Sequence, residues 1–160
     1  DGHGRWNHLS VPRTLYLPLS PMPFVHQTTI RFSEVDAAQV VYFSRFYELA
    51  HVAFEELMCA AGFPVGEVFA KGEWGMPLVR SEADYRRPWR LGEHVRIEGR
   101  ISDMTDRRVA FEYSFIDEDG NRRTRVEMHH AFVSLDSFKP RSIPSGFREA
   151  MTDLGVIGEG

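Results

Sequence analysis

Apolar and polar positions alternate from Phe24 to Ser33. Phe24, His26, Thr28, Ile30 and Phe32 fall on one side, and Val25, Gln27, Thr29, Arg31 and Ser33 on the other. A period of two predicts a half-buried strand. Beyond it the spacing changes: Phe46, Leu49, Ala50, Ala53, Phe54, Leu57, Met58 and Ala61 recur at intervals of three and four, and Gly62 follows. That pattern predicts one long helix whose wide apolar stripe packs on a sheet. The stretch from Phe63 to Pro77 carries Pro64, Gly66, Gly72, Gly75 and Pro77, which predicts a connection with one helical turn near Val65 to Ala70. Four more strand-like runs follow: Leu78 to Arg87, Glu93 to Ser102, Arg108 to Asp117 and Arg122 to Leu135. Their β-branched and aromatic residues alternate with charges, as in antiparallel strands with one wet face. Asp119-Gly120 marks a tight turn between the last two.

The order strand, long helix, four strands predicts an α+β domain over residues 24–138, in which a five-stranded antiparallel sheet curves around one central helix. Residues 1–23 hold four of the nine prolines and no sustained period, and are expected to form an extended tail. Residues 139–160 are expected to form a second tail with a short helix over Ser145 to Leu154. A sheet of this kind has open edges, and pairing one with a second copy of the chain removes it.

Composition adds limits. The 160 residues suit one domain, and 42% hydrophobic with 26% charged residues is ordinary for a soluble globule. No apolar run approaches the roughly 20 residues of a membrane span, so a cytoplasmic protein that does not enter membranes is expected. The single Cys59 excludes an internal disulfide and, inside a helical run, is expected to be a buried thiol. A net charge of -4 argues against nucleic-acid binding. Residues 76–135 nevertheless hold 11 of the 19 basic residues, all Arg, against 11 acids. Arginines interspersed in this way can present local forks for phosphate. There is no Gly-x-Gly-x-x-Gly, phosphate-loop lysine or Cys-x-x-Cys word, and neither His51 nor the pair His129-His130 has a second cluster at metal-ligand spacing. No metal and no cofactor are expected.

The chemistry concentrates in Asp36, placed between the first strand and the long helix. A helix start leaves backbone N–H groups without internal partners and carries a partial positive charge. A carboxylate there can attack a carbonyl or take a proton from water, while a free amide such as that of Phe43 holds the developing oxyanion. That outlines an acyl-transfer site. On spacing alone, an aspartate ahead of a helix more often serves simply as a cap or an Asx-turn residue.

Two words go further. Glu34-Val-Asp-Ala-Ala-Gln-Val-Val-Tyr-Phe43, ahead of the helix, and Ser81-Glu-Ala-Asp-Tyr-Arg-Arg-Pro88 resemble the hot-dog acyl-CoA thioesterases of the 4-hydroxybenzoyl-CoA thioesterase family, especially the 1,4-dihydroxy-2-naphthoyl-CoA hydrolases. The resemblance runs from about Thr28 to about Asp136. It implies a hot-dog fold and hydrolysis of an aromatic acyl-CoA thioester, with Asp36 as nucleophile or general base and the Phe43 amide polarising the carbonyl. Coenzyme A then belongs to the substrate and no separate cofactor is needed. It also implies homodimers sharing a continuous sheet, often paired into homotetramers, with active sites at the subunit interface. Val40, Tyr42, His51 and Trp74 are the expected pocket walls. For the phosphates of coenzyme A, Arg107 and Arg108 are the first candidates and Arg86 and Arg87 the second. The family usually has Gly where Gln39 stands, so a side chain here narrows the mouth of the site or contributes an amide. Two alternatives share the fold: a non-catalytic acyl-CoA-binding or sensing protein, and a hydratase or dehydratase, whose usual Asp/His pair is not found in this chain.

Overall fold

The computed structural model describes residues 23–157. The expected N-terminal tail, apart from Pro23, lies outside the described residues. The first strand, β1 (Phe24–Thr29), leads through a 3-10 turn (Phe32–Glu34) and a tight hairpin into the long helix α1 (Arg45–Ala60). A short helix α2 (Val65–Lys71) and a two-residue strand β2 (Trp74–Gly75) precede β3 (Leu78–Tyr85), β4 (His94–Met104), β5 (Arg108–Ile116) and β6 (Arg122–Ala131). The chain closes with β7 (Val133–Ser134) and helix α3 (Phe147–Asp153).

Five strands form one antiparallel sheet in the order β1-β4-β5-β6-β3, and β2 pairs with β7 separately. The alternation seen in the sequence becomes two faces. In β6, Thr124, Val126, Met128 and His130 are buried, while Arg125, Glu127 and His129 face outward. The buried face receives the apolar stripe of α1: Phe46, Leu49, Ala50, Ala53, Phe54, Leu57 and Met58. Close approach is needed where α1 crosses β4. A Cβ built at Gly99 would stand 3.2 Å from the Tyr113 ring and 3.7 Å from Leu57, so a side chain there would force the ring to give by a few tenths of an ångström.

On the outer face, Glu112 is buried beneath two guanidinium groups. Arg100 Nη2 and Arg125 Nε donate to its two oxygens, each at 2.6 Å. Burial pushes this carboxyl up, but the hydrogen bonds and charges of Arg125 and Arg100 outweigh it and hold the group below its ordinary value.

Four expectations are corrected. The first strand stops at Thr29, and Phe32, grouped with Phe24 and Ile30 on one side of the predicted strand, is 82% exposed whereas Ile30 is buried. The chain has by then turned, with Arg31 N donating to the Glu34 carboxylate at 2.8 Å. The last predicted strand divides after Ala131, because Val133 and Ser134 leave the main sheet to pair with β2. Cys59 is exposed, since it lies about 100° around the helix from the buried Met58. Residues 139–157 are not a tail: Phe147, Met151 and Val156 are buried in the core, and Ile101 N donates to Val156 O at 2.7 Å.

Candidate active site

Asp36 opens a tight hairpin. Gln39 N donates to Asp36 O and Asp36 N to Val40 O, both at 2.9 Å. Val35 pairs with Val41, and Val41 N donates to Trp89 O at 2.9 Å, which ties the hairpin to a buried tryptophan. Trp89 is itself clamped between a hydrogen bond to Thr124 Oγ1 at 3.2 Å and the Arg123 guanidinium 4.0 Å above its ring. Gln39 adopts φ 63°, the left-handed region. A type I turn followed by a left-handed residue is the three-residue hairpin loop that favours glycine there. The departure at Gln39 is thus a matter of backbone conformation, and the turn forms in spite of it.

The half-buried Asp36 carboxylate accepts the Ala38 N–H on Oδ1 at 2.8 Å. The Asx-turn reading of this residue is therefore real. It occupies one oxygen, and Oδ2 has no hydrogen bond among the described residues.

At the helix entrance, Ser44 precedes α1 without capping it through its side chain. Tyr42 N and Arg45 N are paired, whereas no partner is found among the described residues for the Phe43 N–H. The Phe43 ring is 55% exposed beside Tyr42, with centroids 4.7 Å apart. The Tyr85 hydroxyl donates to Phe43 O at 3.2 Å. Burial, with Tyr47 nearby, pushes that hydroxyl up to about 12, so it stays a donor across the neutral range. Phe43, Phe46, Tyr85, Arg86 and Arg87 line a cleft of 240 Å³ at this end of β3.

A second cleft of 260 Å³ lies at the other end of β3. His51, Phe54 and Met58 of α1, Val68 and Phe69 of α2, Trp74, Met76 and His130 form its walls. His130 faces Leu78, the first residue of β3, in register. Trp74 is also part of the core, in contact with the rings of Phe63 and Phe132 at 6.1 and 5.6 Å. His51 sits at the exposed rim and, through Nδ1, donates to Tyr47 O at 3.1 Å.

The expected residues therefore fall into two groups. Asp36, Val40, Tyr42, Phe43, Arg86 and Arg87 gather around the hairpin and the Tyr85 end of β3. His51 and Trp74 share the cleft at the Leu78 end, so Val40 and Tyr42 do not form one wall with them inside a single chain. Nearness in sequence misleads here, because α1 carries His51 away from the hairpin at about 1.5 Å per residue. Arg107 and Arg108 are exposed at the β4–β5 turn, held by Thr105 Oγ1, which accepts both of their backbone N–H groups. Val109 pairs with His130, so the two arginines lie at the same end of the sheet as the second cleft. His130 itself is absent from the expected set. Its signal was its place in the alternation Thr124, Val126, Met128, His130, which puts an imidazole on the buried face. Among the described residues no cluster of His, Cys, Asp and Glu could hold a metal.

The thioesterase-like superfamily matches residues 30–151. The chain belongs to this superfamily. Among its relatives, the 1,4-dihydroxy-2-naphthoyl-CoA hydrolase of Synechocystis sp. is 24% identical over 132 residues, covering 82% of this chain and 96% of the relative. The crystal structure of a 1,4-dihydroxy-2-naphthoyl-CoA thioesterase from Synechocystis superposes with a TM-score of 0.77 at 23% identity, over 82% of this chain and 96% of the other. A gentisyl-coenzyme A thioesterase superposes at 0.72 with 24% identity, over 79% and 98%. The sheet wrapped around α1 is thus the hot-dog fold of these thioesterases.

Proposed function

We propose that the protein hydrolyses an aromatic acyl-CoA thioester to the free acid and coenzyme A. The observation that carries this reading is a carboxylate oxygen of Asp36 and the amide of Phe43, both without hydrogen bonds among the described residues and both on the segment that leads into α1, on a chain of the thioesterase-like superfamily. Relatives named for 1,4-dihydroxy-2-naphthoyl-CoA and gentisyl-coenzyme A support the aromatic class.

In one route an Asp36 oxygen bonds to the thioester carbonyl carbon, the C–S pair leaves on sulfur, and water then hydrolyses the mixed anhydride. In the other, Asp36 takes a proton from a water whose oxygen makes that bond. Both pass through a tetrahedral oxyanion, which the Phe43 N–H at the positive end of α1 stabilises.

The two groups of residues meet if the working unit is a homodimer joined through the β3 edges. The eight residues of β3 separate its ends by roughly 23 Å. Antiparallel pairing of β3 with its copy about a two-fold axis sets the Tyr85 end of one protomer beside the Leu78 end of the other. Asp36 and Phe43 of one chain would then face the His51 and Trp74 cleft of its partner, with Arg107 and Arg108 at the mouth for the coenzyme A phosphates. A pair of such dimers would give the homotetramer. No helix among the described residues is long and apolar enough to cross a membrane. The exposed free thiol of Cys59 suits a reducing compartment such as the cytoplasm.

Asp36→Asn is the decisive variant. Its amide oxygen still accepts the Ala38 N–H, so the hairpin is kept while the negative charge is lost. Hydrolysis of aryl-CoA esters, followed by thiol release, should fall at least about 10²-fold with no change in melting temperature. A rate near that of the unmodified protein would remove Asp36 from the chemistry. Binding of aryl-CoA esters by the unmodified protein without thiol release would favour a sensor.

A further inference from the structure

His130 is 3% exposed, and its ring stacks on Phe54 with centroids 5.4 Å apart and planes 9° apart. Its Nδ1 lies 3.0 Å from Met76 O. A carbonyl only accepts, so Nδ1 carries the proton and Nε2 is left with a lone pair. That Nε2 is buried and has no hydrogen-bond partner among the described residues. An orphaned acceptor in the wall of an apolar cleft loses stability unless something fills it. Phe54, Met58, Val68, Phe69, Trp74 and Met76 make the cleft around it mostly apolar, with the exposed His51 and Glu55 also in its lining, and its 260 Å³ suits a small flat ring system. The nitrogen has no exposed surface of its own, so a ring meets it once the cleft wall adjusts, and Met58 and Met76, being unbranched, are the wall residues that re-pack most easily.

We propose that His130 Nε2 accepts a hydrogen bond from a ring hydroxyl of the acyl group seated in this cleft, and so selects hydroxylated over unsubstituted aryl thioesters. This rests on the aromatic acyl-CoA reading and names which member of that class the cleft prefers. Phe54 and Trp74 take the ring by its apolar faces, and the hydroxyl supplies the donor that His130 Nε2 lacks.

His130→Phe keeps a ring over Phe54 and removes the acceptor. Hydrolysis of 4-hydroxybenzoyl-CoA and benzoyl-CoA is compared in both proteins. The ratio of the two kcat/KM values should favour the hydroxylated ester in the unmodified protein and drop by about tenfold in the variant. An unchanged ratio would overturn the proposal. A second measurement needs neither turnover nor a variant. The full chain, with its histidines labelled by 15N, is titrated with the thioethers S-(4-hydroxybenzyl)-CoA and S-benzyl-CoA, and the Nε2 resonance of His130 is followed. A shift with the hydroxylated thioether alone supports the assignment; equal shifts, or none, refute it. Absence of thiol release together with a selective shift would refute hydrolysis and leave the hydroxyl site standing.

Discussion

At the scale of the residue, two positions yield tests, one of backbone conformation and one of ionisation. Gln39 holds φ 63°, a region costing a residue with a side chain roughly 1 kcal/mol relative to glycine. Gln39→Gly should raise the urea midpoint by an amount worth about 0.5–1 kcal/mol, the greater freedom of glycine in the unfolded chain offsetting part of the gain. A lower midpoint would show that the glutamine side chain stabilises the turn. His130 is the second. Burial disfavours its charged form, and nearby His51 and His129 add to the effect, so its folded pKa lies below the ordinary 6.5 despite the hydrogen bond to Met76 O. With the folded value depressed, the unfolded chain takes up the proton first as pH falls. The contribution to stability is fully present above pH 6.5 and is lost as pH drops from there through the folded value. Urea midpoints measured between about pH 7.5 and 5 should decline, and His130→Phe should flatten that slope. An equal slope in the variant would assign the decline to other groups.

At the scale of the element, α1 was legible because its apolar stripe has a helical period, and β4 to β6 because their faces alternate. The short elements were not. The pairing of β2 with β7 involves two residues on each side, too few for any period, and joins segments almost sixty residues apart. Helix α3 was expected as an appendage. Instead Phe147 is fully buried, with the Phe132 and Phe63 rings at 5.2 and 5.4 Å. Phe147→Ala should therefore destabilise the whole domain by about 3–5 kcal/mol in equilibrium unfolding. A loss under about 1 kcal/mol would return the C-terminal segment to the status of a tail.

At the scale of the whole molecule, β3 is an edge strand with Leu78, Val79 and Tyr85 exposed along it. An open edge bearing apolar side chains is a surface for pairing. Val79 is 53% exposed in the single chain, so Val79→Glu should leave the monomer folded. The added carboxylates should weaken pairing of the two edges. Light scattering should then report a shift towards monomer, and aryl-CoA hydrolysis should fall with it, since each proposed site draws on both chains. A variant that remains dimeric and active would move the interface elsewhere.

The sequence alone determined the alternating strands, the striped helix and the placing of Asp36 in the link before a helix start, because each follows from periods and turn chemistry acting over a few residues. It also set apart Arg107-Arg108 and Arg86-Arg87 as two arginine pairs. Only the tertiary structure decided that these pairs lie at opposite ends of β3, that His51 and Trp74 share a cleft away from Asp36, and that His130 enters that cleft with an unpaired nitrogen. Those relations depend on strand order and register, which are fixed by packing between segments distant in the chain and leave no local period to read.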